Sequence, residues 1–142
     1  SHTKRWRFMT AHADSWVEHL TNATEVRSLF PRGGLVLSGL PLLELKYVSG
    51  NRFRVALLLD RLPEDAPQRW RDRGVTTVEI CFDVGVTALD VRITQEFDNL
   101  PLLDVSIDEN ELRIVAQGMK DDFRIEARTF YMRLEVQATT KQ

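Results

Sequence analysis

Three histidines, one cysteine and a scatter of carboxylates are the residues of this chain that could bind a metal or move a proton. His12 and His19 stand seven apart, not at the spacing of four that puts two imidazoles on adjacent helical turns. No Glu-x-x-His or Cys-x-x-Cys occurs, and a single cysteine cannot build a zinc site. Cys81 lies between Ile80 and Phe82 in a strand-like run, where a buried, inert thiol is the ordinary finding. Only the fold could bring His12 or His19 to it as a nucleophile pair. Asp83, Asp90, Asp104, Asp108, Glu109, Glu111, Asp121 and Asp122 could form an acidic face. Paired carboxylates cleave glycosides only at a fixed separation in a cleft. Most of these residues fall on alternate outward positions or in turns, where they serve solubility and protect sheet edges. "RGGLVLSG" at 32–39 lacks the strand–loop–helix context of a phosphate cradle and reads as a turn. The expectation is a protein with no catalytic residues, no metal and no cofactor.

"APQRWRDRG", residues 66–74, is the stretch suited to recognition. It sets Trp70 among Arg69, Arg71 and Arg73 and closes on Gly74. Asp65 suits a helix N-cap, Pro67 a first helical turn and Gly74 the residue just past the end. The stretch therefore predicts a short helix between strands. Its Trp is either a buried anchor for that turn or an exposed hot spot ringed by arginine.

The elements that must position these residues follow from periodicity. Trp16, Leu20, Ala23, Val26 and Phe30 recur at helical spacing, and Ser15-x-x-Glu18 and Asn22-x-x-Glu25 resemble capping patterns. One interrupted helix or two short ones are expected, stopped by Pro31 and the glycines after it. Beyond Gly34 the period becomes two. Leu43, Leu45 and Tyr47, then Phe53, Val55, Leu57 and Leu59, predict a hairpin turned at Gly50-Asn51. Val78 to Val86 alternate on even positions and Leu89, Val91 and Ile93 on odd ones, which places a bulge or tight connection at Gly85–Ala88. A second slip between Ala127 and Phe130 places a bulge or sheet corner at Arg128–Thr129, with Phe53, Phe82, Phe123 and Phe130 pointing inward. Short loops imply antiparallel neighbours. The expected fold is mainly β (α+β): an antiparallel β-sandwich or curled half-barrel of seven to nine strands, with an N-terminal helix and one short connecting helix.

The totals bound the function. The 142 residues suit one domain, residues 1–142, with 1–12 as an arm whose leading Ser-His reads as a cloning remnant. No apolar run approaches the roughly 18 residues of a membrane span. No signal peptide is visible, and one cysteine fits a reducing cytoplasm. Residues 1–74 carry 12 Lys and Arg against 8 Asp and Glu, and residues 75–142 carry 7 against 13; the resulting +4 and −6 reproduce the net −2. The basic residues form no run beyond "KRWR" at 4–7, which argues against nucleic acid. Inward Phe, Leu and Val could fill a core or line a ligand cavity.

The succession of features resembles the immunity protein 50 family of bacterial polymorphic toxin systems over residues 16–136. The matching features are Trp16 in a short helix, "SLF" at 28–30 leading to a strand pair, and Pro67-x-x-Trp70 with Gly74. "VTTVEICFDVGVTALDV" and "LLDVSIDENELRIVAQG" follow, then a closing strand to Val136. The stretch "PRGGLVLSG" departs from that pattern in its length and glycine content. The resemblance implies a cytoplasmic antitoxin that neutralises a cognate toxin by protein–protein contact, without catalysis. Arg69, Trp70, Arg71 and Arg73 are then one candidate contact set, and Asp104, Asp108, Glu109 and Glu111 the other, the latter suited to a basic nuclease. A small-ligand or lipid-binding barrel is the alternative, and a structural adaptor the third.

Overall fold

From Leu40 onward the chain folds as its period-two pattern dictates. In the computed structural model, which describes residues 15–32, 35–94, 101–118 and 123–139, six antiparallel strands form one curled sheet. They are β1 (Leu40–Val48), β2 (Arg52–Leu59), β3 (Val78–Ile93), β4 (Leu102–Asp108), β5 (Arg113–Gly118) and β6 (Phe123–Ala138). The strand order β1-β2-β3-β6-β5-β4 closes into a barrel. The closing seam is short: Leu40 and Pro41 of β1 pair with Leu103 and Leu102 of β4. The expectations for His2, His12, the arm at 1–12, "KRWR", Gly33, Gly34, Asp121 and Asp122 lie outside the described residues.

The sheet is the mainly β, curled architecture that alternation predicts, with six strands where seven to nine were counted. The difference has one cause. Both phase slips lie inside continuous 16-residue strands rather than between shorter ones. On β3 the extra residue is Thr87, with Val86 opposite Thr129 and Ala88 opposite Arg128. On β6 it is Phe130, because Gly85 faces Tyr131 while Val86 faces Thr129. Each bulge resets the facing so that the apolar residues of both halves of its strand share one face, buried along β6 and over the first half of β3. Phe130 consequently turns out of the core, 64% exposed, against the inward position expected for it. Its ring lies over Gly85, where an added Cβ would come within 2.7 Å of the ring edge. An aromatic thus covers backbone that a side chain would otherwise shield.

Inside the barrel Phe53, Val55, Phe82, Val84, Ile114, Ala116, Ile125 and Ala127 are buried. The space left among them is about 10 Å³, close to the minimum for one water. The hairpin turn is the one foreseen: Gly50 (φ 85°) and Asn51 (φ 60°) both take the left-handed conformation, which Gly and Asn tolerate best.

The N-terminal segment is a 3-10 turn, Ser15–His19, followed by α1 (Ala23–Leu29). Asn22 stands at the N-cap of α1 as its spacing predicts, but the side chains of both predicted capping residues reach across to the sheet side of the chain. Ser15 Oγ donates to Glu109 at 2.7 Å. Asn22 makes no cap bond; its amide nitrogen donates to Leu134 O (2.6 Å) and its oxygen accepts from Leu134 N (3.2 Å). With Thr21 N donating to Met132 O at 2.9 Å, this clamps the segment along β6 beyond the reach of β5, satisfying backbone groups there. Trp16 reaches Phe82 with ring centroids 5.7 Å apart. The short connecting helix α2 spans Gln68–Asp72. It starts two residues later than expected, with Pro67 in place of Asp65 at the N-cap, and ends as foreseen at Gly74 (φ 72°), whose N–H donates to Arg71 O.

Charge pairing on the outer face of β5 and β6 makes the fold acid-sensitive at one position. Glu126 accepts from Arg113 at 2.8 Å and from Arg124 at 3.4 Å. The Arg113 hydrogen bond, opposed by some desolvation, holds its carboxyl below the ordinary glutamate range. A depressed folded-state pKa contributes stability above the unfolded value of about 4.3, and that contribution is lost as pH falls through the folded pKa. The stability gap between wild type and Glu126→Gln is therefore expected to narrow from neutral pH to about pH 3. Urea midpoints across that range check it; a gap that widens in acid contradicts it.

Candidate docking groove

Trp70 is the buried anchor, not an exposed hot spot: it is 7% exposed. Trp70 N donates to Pro67 O, and Trp70 O accepts from Val75 N at 2.9 Å. These bonds fix the ring on the sheet side of a helix too short to hold itself. One edge of the ring still faces a groove. This groove, about 440 Å³ and open to solvent, runs between α1, α2 and the last third of β6.

Its floor is apolar: Val26 and Leu29 of α1, Pro67 and Trp70, and Leu134 and Val136 of β6. Its rim carries Glu25, Arg69, Arg133, Glu135 and Gln137. The alternation of β6 explains the rim, because Met132 and Leu134 point into the core and Arg133, Glu135 and Gln137 point out. Arg133 lies 3.6 Å from Glu25 and 3.7 Å from Glu135. These exposed pairs add little stability, but they hold the rim charges at set places. Arg69 differs: its guanidinium makes no hydrogen bond or ion pair with any described residue.

The predicted contact residues divide. Arg69 and Trp70 line the groove. Arg71 and Arg73 share their helix but fold back onto backbone, Arg71 to Glu64 O at 3.2 Å and Arg73 to Arg69 O at 3.4 Å. The acidic set lies elsewhere, on β4 and the β4–β5 turn, and each member has work inside the chain. Asp104 accepts from Ser38 Oγ and Gly39 N at 3.0 and 2.7 Å. Asp108 accepts from Asn110 N. Glu109 accepts from Ser15 and pairs with His19 at 3.2 Å. Glu111 lies 3.6 Å from Arg113 and 4.0 Å from Arg128. Glu25, Arg133, Glu135 and Gln137 escaped sequence reasoning. The outward phase of β6 was readable for three of them, but nothing local showed that α1 packs beside it.

Beneath the rim, Arg54 lies 4.0 Å from Glu135 and donates to Cys81 Sγ at 3.3 Å. Burial pushes the Cys81 thiol above its ordinary range, and Arg54 only partly offsets that. The thiol is thus held in its neutral, poorly nucleophilic form. His19, paired with Glu109, is spent elsewhere. Among the described residues no cluster of His, Cys, Asp and Glu could hold a metal ion. No described helix is long and apolar enough to cross a membrane. No protein-family model, curated protein or solved structure matches the chain.

Proposed function

We propose that the protein is an immunity protein, a cytoplasmic antitoxin that neutralises a cognate bacterial toxin domain by binding it, and that the α1–α2–β6 groove receives a segment of that toxin. The observation that carries this reading is the groove itself: an apolar floor walled by a buried Trp and edged by an arginine with no partner among the described residues. Protein interfaces draw affinity from such desolvated aromatic and Arg positions, with a polar rim that excludes water. The filled barrel interior, with about 10 Å³ among its central side chains, favours surface docking over a ligand held inside the sheet.

The test is co-purification from the native host with wild type and Arg69→Glu. A stoichiometric toxin domain is expected with wild type. Its affinity is expected to fall by about 2 kcal/mol or more with the variant, while stability stays within about 0.5 kcal/mol. Equal affinity for both proteins excludes the groove. Recovery of a bound lipid or metabolite in place of a protein supports a ligand-binding domain.

A further inference from the structure

The second half of β3 is a sheet edge. β2 pairs with β3 only from Val78 to Gly85. Beyond it, Ala88–Ile93 pair with β6 on one side in unbroken register, and among the described residues no strand pairs on the other. Asp90 to Thr94 are all exposed. Val91 and Ile93, though on the face that carries Ile125 and Phe123, are 41% and 49% exposed. An exposed regular edge with apolar side chains is a template for another strand. β1 also has a stretch unpaired by described strands on its β4 side, entered through the register shift at Leu42/Glu44, a kind of irregularity that bends an edge away from regular pairing.

The charges on the β3 edge identify what fits it. Asp90 sits opposite Glu126, and Arg92 opposite Arg124. Like charges directly opposite are unfavourable. The side chains of Asp90 and Arg92 make no ion pair or hydrogen bond with a described residue. A second copy of the same strand, antiparallel and centred on Val91, supplies what is missing. Asp90 then faces the partner's Arg92, Arg92 faces the partner's Asp90, and Leu89 faces the partner's Ile93 on the apolar side. We propose that β3 pairs edge to edge with β3 of a second copy, forming a two-fold symmetric dimer through a continuous sheet. Such an isologous contact closes on itself, so assembly stops at two. Val91 lies ten residues along β3 from Cys81, the partner of Glu135 in the groove. At about 3.3 Å per residue that is roughly 30 Å, so the dimer leaves both grooves free.

Sedimentation of the full chain over a concentration series tests this with three variants. Asp90→Arg and Arg92→Asp each oppose like charges twice per dimer and are expected to raise the dimer dissociation constant about tenfold or more. The double exchange Asp90→Arg with Arg92→Asp restores both pairs and is expected to restore dimerisation. Within the monomer it also sets opposite charges against Glu126 and Arg124, so a folding defect does not confound the result. Glu44→Lys on β1 is expected to leave the dimer unchanged. A wild-type monomer at all concentrations, a double exchange that stays monomeric, or a dimer broken by Glu44→Lys and not by Arg92→Asp overturns the proposal.

Discussion

Replacing Trp70 by alanine is expected to cost about 3–5 kcal/mol of stability and to abolish partner binding together with it. The ring is 7% exposed and belongs to the apolar core. It alone anchors a five-residue helix, whose few internal bonds could not sustain it in isolation. Removing the ring takes away a wall of the groove that Val26 and Val136 also line, and the helix loses its one buried anchor. Chemical denaturation measures the first effect. Trp70→Phe separates it from the second: it keeps much of the buried area, so stability is expected to return in large part while groove shape changes. A Trp70→Ala protein as stable as wild type would place the ring outside the core and contradict the account.

The second large effect is expected at Phe82. It is fully buried, stands inward on β3 between Val55 of β2 and Leu134 of β6, and meets Trp16 from the N-terminal turn. Truncation to alanine removes the ring and its tilted aromatic contact, at an expected cost of about 3–5 kcal/mol. The loss should also loosen the N-terminal segment, because Trp16 is then left without its ring partner. Faster hydrogen exchange at Thr21 and Leu134, the backbone groups that tie this segment to β6, is the corresponding signature. Unchanged exchange at those two amides would show that Asn22, and not Trp16, holds the segment in place.

These two residues also show what local pattern reveals and what it hides. The inward position of Phe82 is readable from the even-numbered run Val78 to Val86, and the turn at Gly50-Asn51 from residue type alone. Each depends on neighbours along the chain. The bulges were legible as phase slips, yet a slip does not say whether a strand ends or continues. Continuity came from β6, which pairs with β3 over its whole length. Phe130 could not be oriented from sequence for the same reason, because its facing depends on which residue becomes the extra one.

Asn22 illustrates the remaining gap. Its spacing to Glu25 is that of a cap, but a sequence separation of 112 lies between it and the Leu134 backbone it grips. The acidic residues Asp104 and Glu109 looked free because their partners, Ser38 and Gly39 for the one and Ser15 and His19 for the other, come together with them only in the folded chain. Arg69 and Trp70 were legible as a pair; the groove they border was not, since α1 and β6 supply its other walls.

Site-specific photo-crosslinking from position 69 in the native host, read by mass spectrometry, tests the docking claim most directly. The side chain there is exposed and lines the groove, so a probe reports its occupant without disturbing the core. The account predicts one toxin domain joined at position 69 in high yield, with little joined from a control probe at Asp104 on β4. A toxin domain that co-purifies but crosslinks from Asp104 and not from position 69 would contradict it.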